Sequence, residues 1–249
     1  MLLVEDEPTN QRVARLHLER AGCDVVLCGD GSEALAALDT HHVDLVLMDV
    51  QMPVMDGLEA TRRIREREAG RRRIPIVALT ANSKRQQVEA CLASGMDDVM
   101  PKPIDAGRLE AVLDRYVPGA SEPDGPRELS VAGSPARTPD ISLERFHELV
   151  SGDAELARGL VATFAESTRQ TLADVESGLD RGDLAQVRRA IHTLKGASAN
   201  IGATRLQAVA VALEDAAHKV DMAEIHRLLE VARRRFDAAR AQFEAEIAP

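Results

Sequence analysis

Tryptophan is absent, and aromatic residues make up only 2% of the 249 residues. Single-stranded nucleic acid is held by stacking bases on aromatic side chains, so that class of function is disfavoured and the cores must be aliphatic. Cysteine is scarce: Cys23, Cys28 and Cys91 show neither CxxC nor Cys/His metal spacing and read as reduced, buried thiols. No apolar run reaches the length of a membrane span, and no secretory signal pattern is present. A soluble, cytoplasmic chain without a membrane segment is expected. A basic face is missing too. The net charge is −10; residues 1–118 hold 15 basic and 20 acidic side chains, residues 140–249 hold 14 and 18. Neither half offers a nucleic-acid surface. Nor is there a P-loop or a kinase Gly-rich loop, so the chain as it stands is not expected to bind ATP or act as a kinase.

What is present centres on Leu45-Val46-Leu47-Met48-Asp49. An unbroken apolar run meeting a carboxylate reads as a parallel strand covered on both faces. Asp49 ends it, at the sheet edge where open α/β proteins bind ligands. Around it, strands and helices alternate five times over residues 1–118, which gives a doubly wound, five-stranded parallel sheet. Helical periodicity from Thr9 to Ala21 places Val13, Leu16 and His17 inward. With strand order 2-1-3-4-5, Asp6 faces Asp49 across the switch point, and Glu5, Thr80 and Lys102 stand at neighbouring strand ends. Clustered carboxylates need a cation, and Mg²⁺ takes one or two carboxylates plus phosphate. A carboxylate can act as the nucleophile that forms an aspartyl phosphate. Lys102 would supply positive charge, and Thr80 a hydrogen bond to the attached phosphoryl group.

The linked motifs Val4-Glu5-Asp6, Met48-Asp49, Met52-Pro53-Val54-Met55-Asp56-Gly57, Leu79-Thr80-Ala81 and Lys102-Pro103 make residues 1–118 resemble the receiver domain of two-component response regulators. The resemblance implies Mg²⁺ held by Glu5, Asp6, Asp49 and the backbone carbonyl of Gln51. It also implies a cis peptide before Pro103, and Gln51 and Asn82 as neighbours that tune the lifetime of the aspartyl phosphate. Val99 stands where relatives carry an aromatic switch residue, and Met1 sits almost inside the first strand. An internal start is therefore an expectation. The run of arginines from Arg62 to Arg73 is interleaved with Glu66 and Glu68 and reads as a solvated helix end.

Residues 119–140 lose all periodicity and collect Pro, Gly and Ser, which marks a flexible linker of roughly 25 Å root-mean-square span. From residue 141 to 249 apolar stripes at helical spacing describe a four-helix bundle with a short leading helix near Leu143–Val150. His192 lies one position beyond Ile191 of its stripe, so it turns off the buried face. Lys195 and Gly196 share its side. Gly196 leaves bare backbone beside the imidazole, at a cost of about 1 kcal/mol. The run Ile191-His192-Thr193-Leu194-Lys195-Gly196-Ala197-Ser198-Ala199-Asn200-Ile201-Gly202 resembles the phosphohistidine helix of histidine-containing phosphotransfer domains. By that resemblance His192 carries the phosphoryl group, Lys195 assists by charge and Gly196 by access.

The expectation is a phosphorelay protein. Asp49 accepts from the phosphohistidine of a sensor histidine kinase, and His192 exchanges with Asp49 or with the receiver domain of another response regulator. Two alternatives stand beside it: the C-terminal part of a hybrid sensor histidine kinase, and a phosphorylation-independent adaptor. A DNA-binding factor is opposed by the acidic second half.

Overall fold

A computed structural model of the chain describes residues 1–68, 72–80, 85–104, 106–117 and 140–248. The expected linker lies outside the described residues up to Asp140, as do Arg71, Ala81 and Asn82.

In the first half, five parallel strands run in the order β2-β1-β3-β4-β5: β1 (Leu2–Val4), β2 (Val26–Cys28), β3 (Val46–Asp49), β4 (Ile76–Thr80) and β5 (Asp98–Pro101). They alternate with α1 (Pro8–Arg20), α2 (Gly31–Thr40), α3 (Gly57–Arg67), α4 (Arg85–Ala93) and α5 (Ala106–Tyr116). Every residue of β3 is buried. Its side chains alternate between two cores: Val46 and Met48 join one face, and Leu47, with Leu45 just before the strand, the other, as the pleat requires. Asp49 therefore emerges where both apolar layers end. Behind it, the Asp56 carboxylate caps α3 by accepting from the Glu59 amide at 2.8 Å. A Cβ on Gly57 would lie 2.1 Å from the Asp49 carbonyl oxygen, so glycine lets α3 begin directly behind the acid. The arginines of α3 and those just after it are drawn into pairs with Asp39, Asp44, Glu59, Glu68 and Asp97.

The second half is helical: α6 (Leu143–Val150), α7 (Ala154–Arg181), α8 (Leu184–Ile201), α9 (Thr204–Lys219) and α10 (Met222–Glu246). Gly182 and Gly202, at φ 68° and 87°, close α7 and α8, a left-handed conformation that glycine adopts without penalty. The bundle core is aliphatic except for the protein's four phenylalanines: Phe146 packs on Phe243 at 4.8 Å between ring centroids, and Phe164 meets Phe236 and Phe243 edge-on. The single tyrosine, Tyr116, is on α5 of the first half.

The halves meet along α1. Here the expected inward face needs correction. Ala14 and Leu18 join Leu3 and Leu47 of the sheet in one core, whereas Leu16 and His17 are only partly buried. Val13 is buried, but in the core of the helical bundle. Periodicity reports that a position is covered and not by which partner. Polar contacts border this seam: Thr9 Oγ1 lies 3.0 Å from Ser167 Oγ, and Arg20 donates to the Glu148 carbonyl at 3.2 Å.

Candidate functional site

At the C-terminal edge of the sheet, β1, β3 and β5 each deliver charge. Lys102 directly follows β5, and a cis peptide joins it to Pro103. Its backbone amide donates to the Thr80 carbonyl at 2.6 Å, and its Nζ donates to Glu5 Oε2 at 2.5 Å and Asp49 Oδ2 at 2.7 Å. The Gln51 amide donates to the remaining Asp49 oxygen at 3.2 Å. Thr80 is buried one strand over from Asp49. Glu5, Asp6 and Asp49 each bring one carboxylate oxygen within 4.8 Å of the others. The residues grouped from the sequence are thus brought together.

Two of the acids, Glu5 and Asp49, share the Lys102 ammonium, and the partly buried Asp6 stands beside them. Burial, with the nearby Asp49 charge, pushes Asp6 up to about 6. Burial likewise pushes Glu5 up to about 8, against the pull of Lys102. Desolvation acts to lower Lys102, but the facing charges of Asp49 and Glu5 outweigh it and leave its pKa raised. The cluster holds more negative charge than Lys102 can balance, so it must retain a proton or take up a cation. Hard, convergent carboxylate oxygens suit a small divalent ion.

The second chemical centre lies on α8 and α9. His192 is partly buried, and its Nδ1 lies 3.1 Å from Glu214 Oε1. Lys195 Nζ donates to the other oxygen, Glu214 Oε2, at 2.6 Å. The His192 hydrogen bond first, and Lys195 with it, hold Glu214 down to about 2 despite partial burial. Nδ1–H is then the donor, and the Nε2 lone pair is left for chemistry. Lys195 is therefore pinned to Glu214 beside the ring. Glu214 itself was missed. It stands one position past Leu213 of its stripe, as His192 stands one past Ile191, and that shared offset was the available signal.

This arrangement carries a pH signature. A carboxyl whose folded pKa is depressed adds stability above its ordinary value of 4.5, and loses it as pH falls through about 2. Glu214→Gln is expected to lower stability at pH 7 by about 2 kcal/mol, once its exposed edge is discounted. Below about pH 2 the two proteins should unfold alike; chemical denaturation across this range, followed by circular dichroism, checks it.

Comparison with known proteins resolves what the two centres belong to. Residues 1–114 match the response regulator receiver domain, and residues 159–245 match the Hpt domain. The chain joins a receiver domain to an Hpt domain. It is 33% identical over 217 residues to the sensor histidine kinase GacS of Pseudomonas protegens, covering 84% of this chain and 23% of that one. It is also 33% identical over 208 residues to the aerobic respiration control sensor protein ArcB of Escherichia coli, covering 83% and 26%. The chain thus spans about a quarter of the length of these relatives. Among solved structures, the receiver domain of the sensor histidine kinase PA1611 from Pseudomonas aeruginosa is 44% identical, covering 46% of this chain and 93% of that one, with a TM-score of 0.43. Receiver plus Hpt is the composition of a phosphorelay signalling protein. Among the described residues, no helix is long and apolar enough to cross a membrane.

A cavity of about 740 Å³ lies between the two domains and is bordered by His192 on one side and by Asp6 of the acidic cluster on the other. Asp6 and Gln51 line it from the receiver; His192, Arg189 and Ser167 line it from the Hpt domain. Gly196 lies at this seam, under α1: a Cβ there would sit 3.3 Å from Asn10 Nδ2. The access that glycine provides is taken up by the receiver of the same chain.

Proposed function

We propose that Asp49 accepts a phosphoryl group from the phosphohistidine of a sensor histidine kinase and exchanges it with His192 of the same chain. The observation that carries this reading is the shared cavity, which opens to His192 from one domain and to Asp6 and Gln51, flanking Asp49, from the other. In the first step the donor's N–P bond breaks as an Asp49 carboxylate oxygen bonds phosphorus. In the second, His192 Nε2 bonds phosphorus and the Asp49 oxygen leaves as carboxylate. Phosphoryl transfer asks for positioning and charge neutralisation more than for covalent help. Lys102 contacts Asp49 already and is placed to meet the charge on the phosphoryl oxygens. Thr80 is placed to hydrogen-bond one of them. Mg²⁺, held by Glu5, Asp6, Asp49 and the Gln51 carbonyl, would supply the remaining positive charge. Glu214 keeps Nε2 in its nucleophilic tautomer, and Lys195 balances Glu214.

The partners in this reading are a sensor histidine kinase upstream and a receiver domain, its own or that of another response regulator. It places receiver, linker and Hpt domain at residues 1–118, 119–140 and 141–249, in the cytoplasm. A second reading is favoured by the quarter-length match to sensor kinases: the same relay as the C-terminal part of a hybrid sensor histidine kinase.

The test is labelling by a radiolabelled acyl phosphate, with alkali-resistant label counted as phosphohistidine. Wild type is expected to gain it at a rate per molecule independent of protein concentration. Both His192→Gln and Asp49→Asn lose it. If wild type never forms it, or if mixing the two variants restores it at the wild-type rate, internal transfer is wrong.

A further inference from the structure

Helix α8 reaches the receiver through Asn200. Asn200, 1% exposed, donates from Nδ2 to Asn10 Oδ1 at 2.6 Å. Asn10, 3% exposed, donates from its own Nδ2 to Glu5 Oε1 at 2.9 Å. The other Glu5 oxygen is held by Lys102. A buried chain of two amides therefore runs from the His192 helix to one of the three clustered carboxylates. The Asn200 Oδ1 atom is buried without a partner among the described residues, a cost borne in an arrangement that spends the amide on the domain seam.

The bundle is shaped for this approach. A Cβ on Gly159 of α7 would lie 2.2 Å from Arg12 Nη2, and one on Gly196 of α8 would lie 3.3 Å from Asn10 Nδ2. Each glycine inside a helix costs about 1 kcal/mol relative to alanine, and both stand where α1 rests. Val13 closes the seam from the receiver side by entering the bundle core.

We propose that Asn10 is a positioning residue through which the seating of the Hpt bundle on α1 fixes the Glu5 carboxylate and raises the receiver's affinity for a divalent cation. A small hard ion such as Mg²⁺ tolerates little departure from its ligand geometry, so a carboxylate already held at both oxygens loses less freedom on binding it. When the bundle leaves, Asn10 loses the group that holds its amide, and Glu5 loses a fixed donor. By thermodynamic reciprocity, the cation must favour the seated bundle by the same factor. The inference rests on the reading of Glu5, Asp6 and Asp49 as the cation site, and not on the direction of phosphoryl flow.

Calorimetric titration of the full chain with MgCl₂ tests it, alongside small-angle scattering to follow whether the domains are seated. Asn200→Ala and Val13→Glu, which loosen the seam from opposite sides, should each weaken Mg²⁺ binding about fivefold, at the low end for coupled sites. Asn10→Ala should lose at least as much, and adding Asn200→Ala to it should cost nothing more. Mg²⁺ should compact the wild type and leave the Asn10→Ala distribution unchanged. A Val13→Glu protein that scatters as separated domains yet binds Mg²⁺ like wild type overturns the linkage. So does an additive loss in the Asn10→Ala, Asn200→Ala double variant. A wild type that takes up no Mg²⁺ overturns the cation reading itself.

Discussion

Asp49→Asn should lower receiver labelling by an acyl phosphate by ~10³-fold or more, as removal of a nucleophile does, while the protein melts no lower than wild type. The second half of that statement makes the first informative. Asp49 shares Lys102 with Glu5, and its charge helps to push both Glu5 and Asp6 up. The amide keeps the shape of the side chain and removes one buried negative charge. Repulsion within the cluster falls, so folding does not suffer. Lost labelling with an unchanged or higher Tm identifies Asp49 with the chemistry. A lower Tm would trace the loss to damaged structure and leave the acceptor unassigned.

Lys102→Ala should do the opposite, costing stability first. Lys102 is buried and bonded to two buried acids. Removing one partner from such an arrangement typically costs about 3–5 kcal/mol, because the remaining charge is stranded. The loss should depend on pH. Glu5 and Asp6 have folded pKa values near 8 and 6, above their ordinary 4.5 and 3.8. The folded state thus binds more protons than the unfolded one, and stability falls as pH rises from about 4 to 8. Without Lys102 both values climb further, so the variant should be much closer to wild type at pH 5 than at pH 8. Saturating Mg²⁺ at pH 8 should raise the variant's own stability by about 2.7 kcal/mol at a hundred times its Kd. Thermal unfolding at the two pH values, with and without the ion, reads all of this. An equal loss at both would mean that Lys102 acts through packing.

The first domain was legible because its chemistry sits at strand ends. Each of Glu5, Asp49, Thr80 and Lys102 follows an apolar run, and the β-strand register turns that sequence position into a place at one sheet edge. His192 was legible because it departs from an otherwise regular stripe. What escaped was whatever depends on the two domains meeting. Val13 carried the pattern of a core residue and was assigned to the nearer core; Ala14, small enough to lie against the sheet, was overlooked beside it. Asn10 and Asn200 are separated by 190 residues, and an amide on a helix announces no partner. Gly159, too, has its reason in the other domain, because Arg12 lies across it. Local periodicity records the energy of burial, whereas the identity of the neighbour is settled by the topology of the whole chain.

The partition of aromatic residues gives the protein two natural reporters. All four phenylalanines are locked in the bundle and the sole tyrosine lies on α5, beneath the Arg115 guanidinium. With no tryptophan to mask it, tyrosine fluorescence senses the receiver alone, and the phenylalanine fine structure in near-ultraviolet dichroism senses the Hpt bundle alone. One unlabelled sample can therefore show whether the halves come apart together or in turn, and each variant of the seam can be ranked by how far the two signals separate.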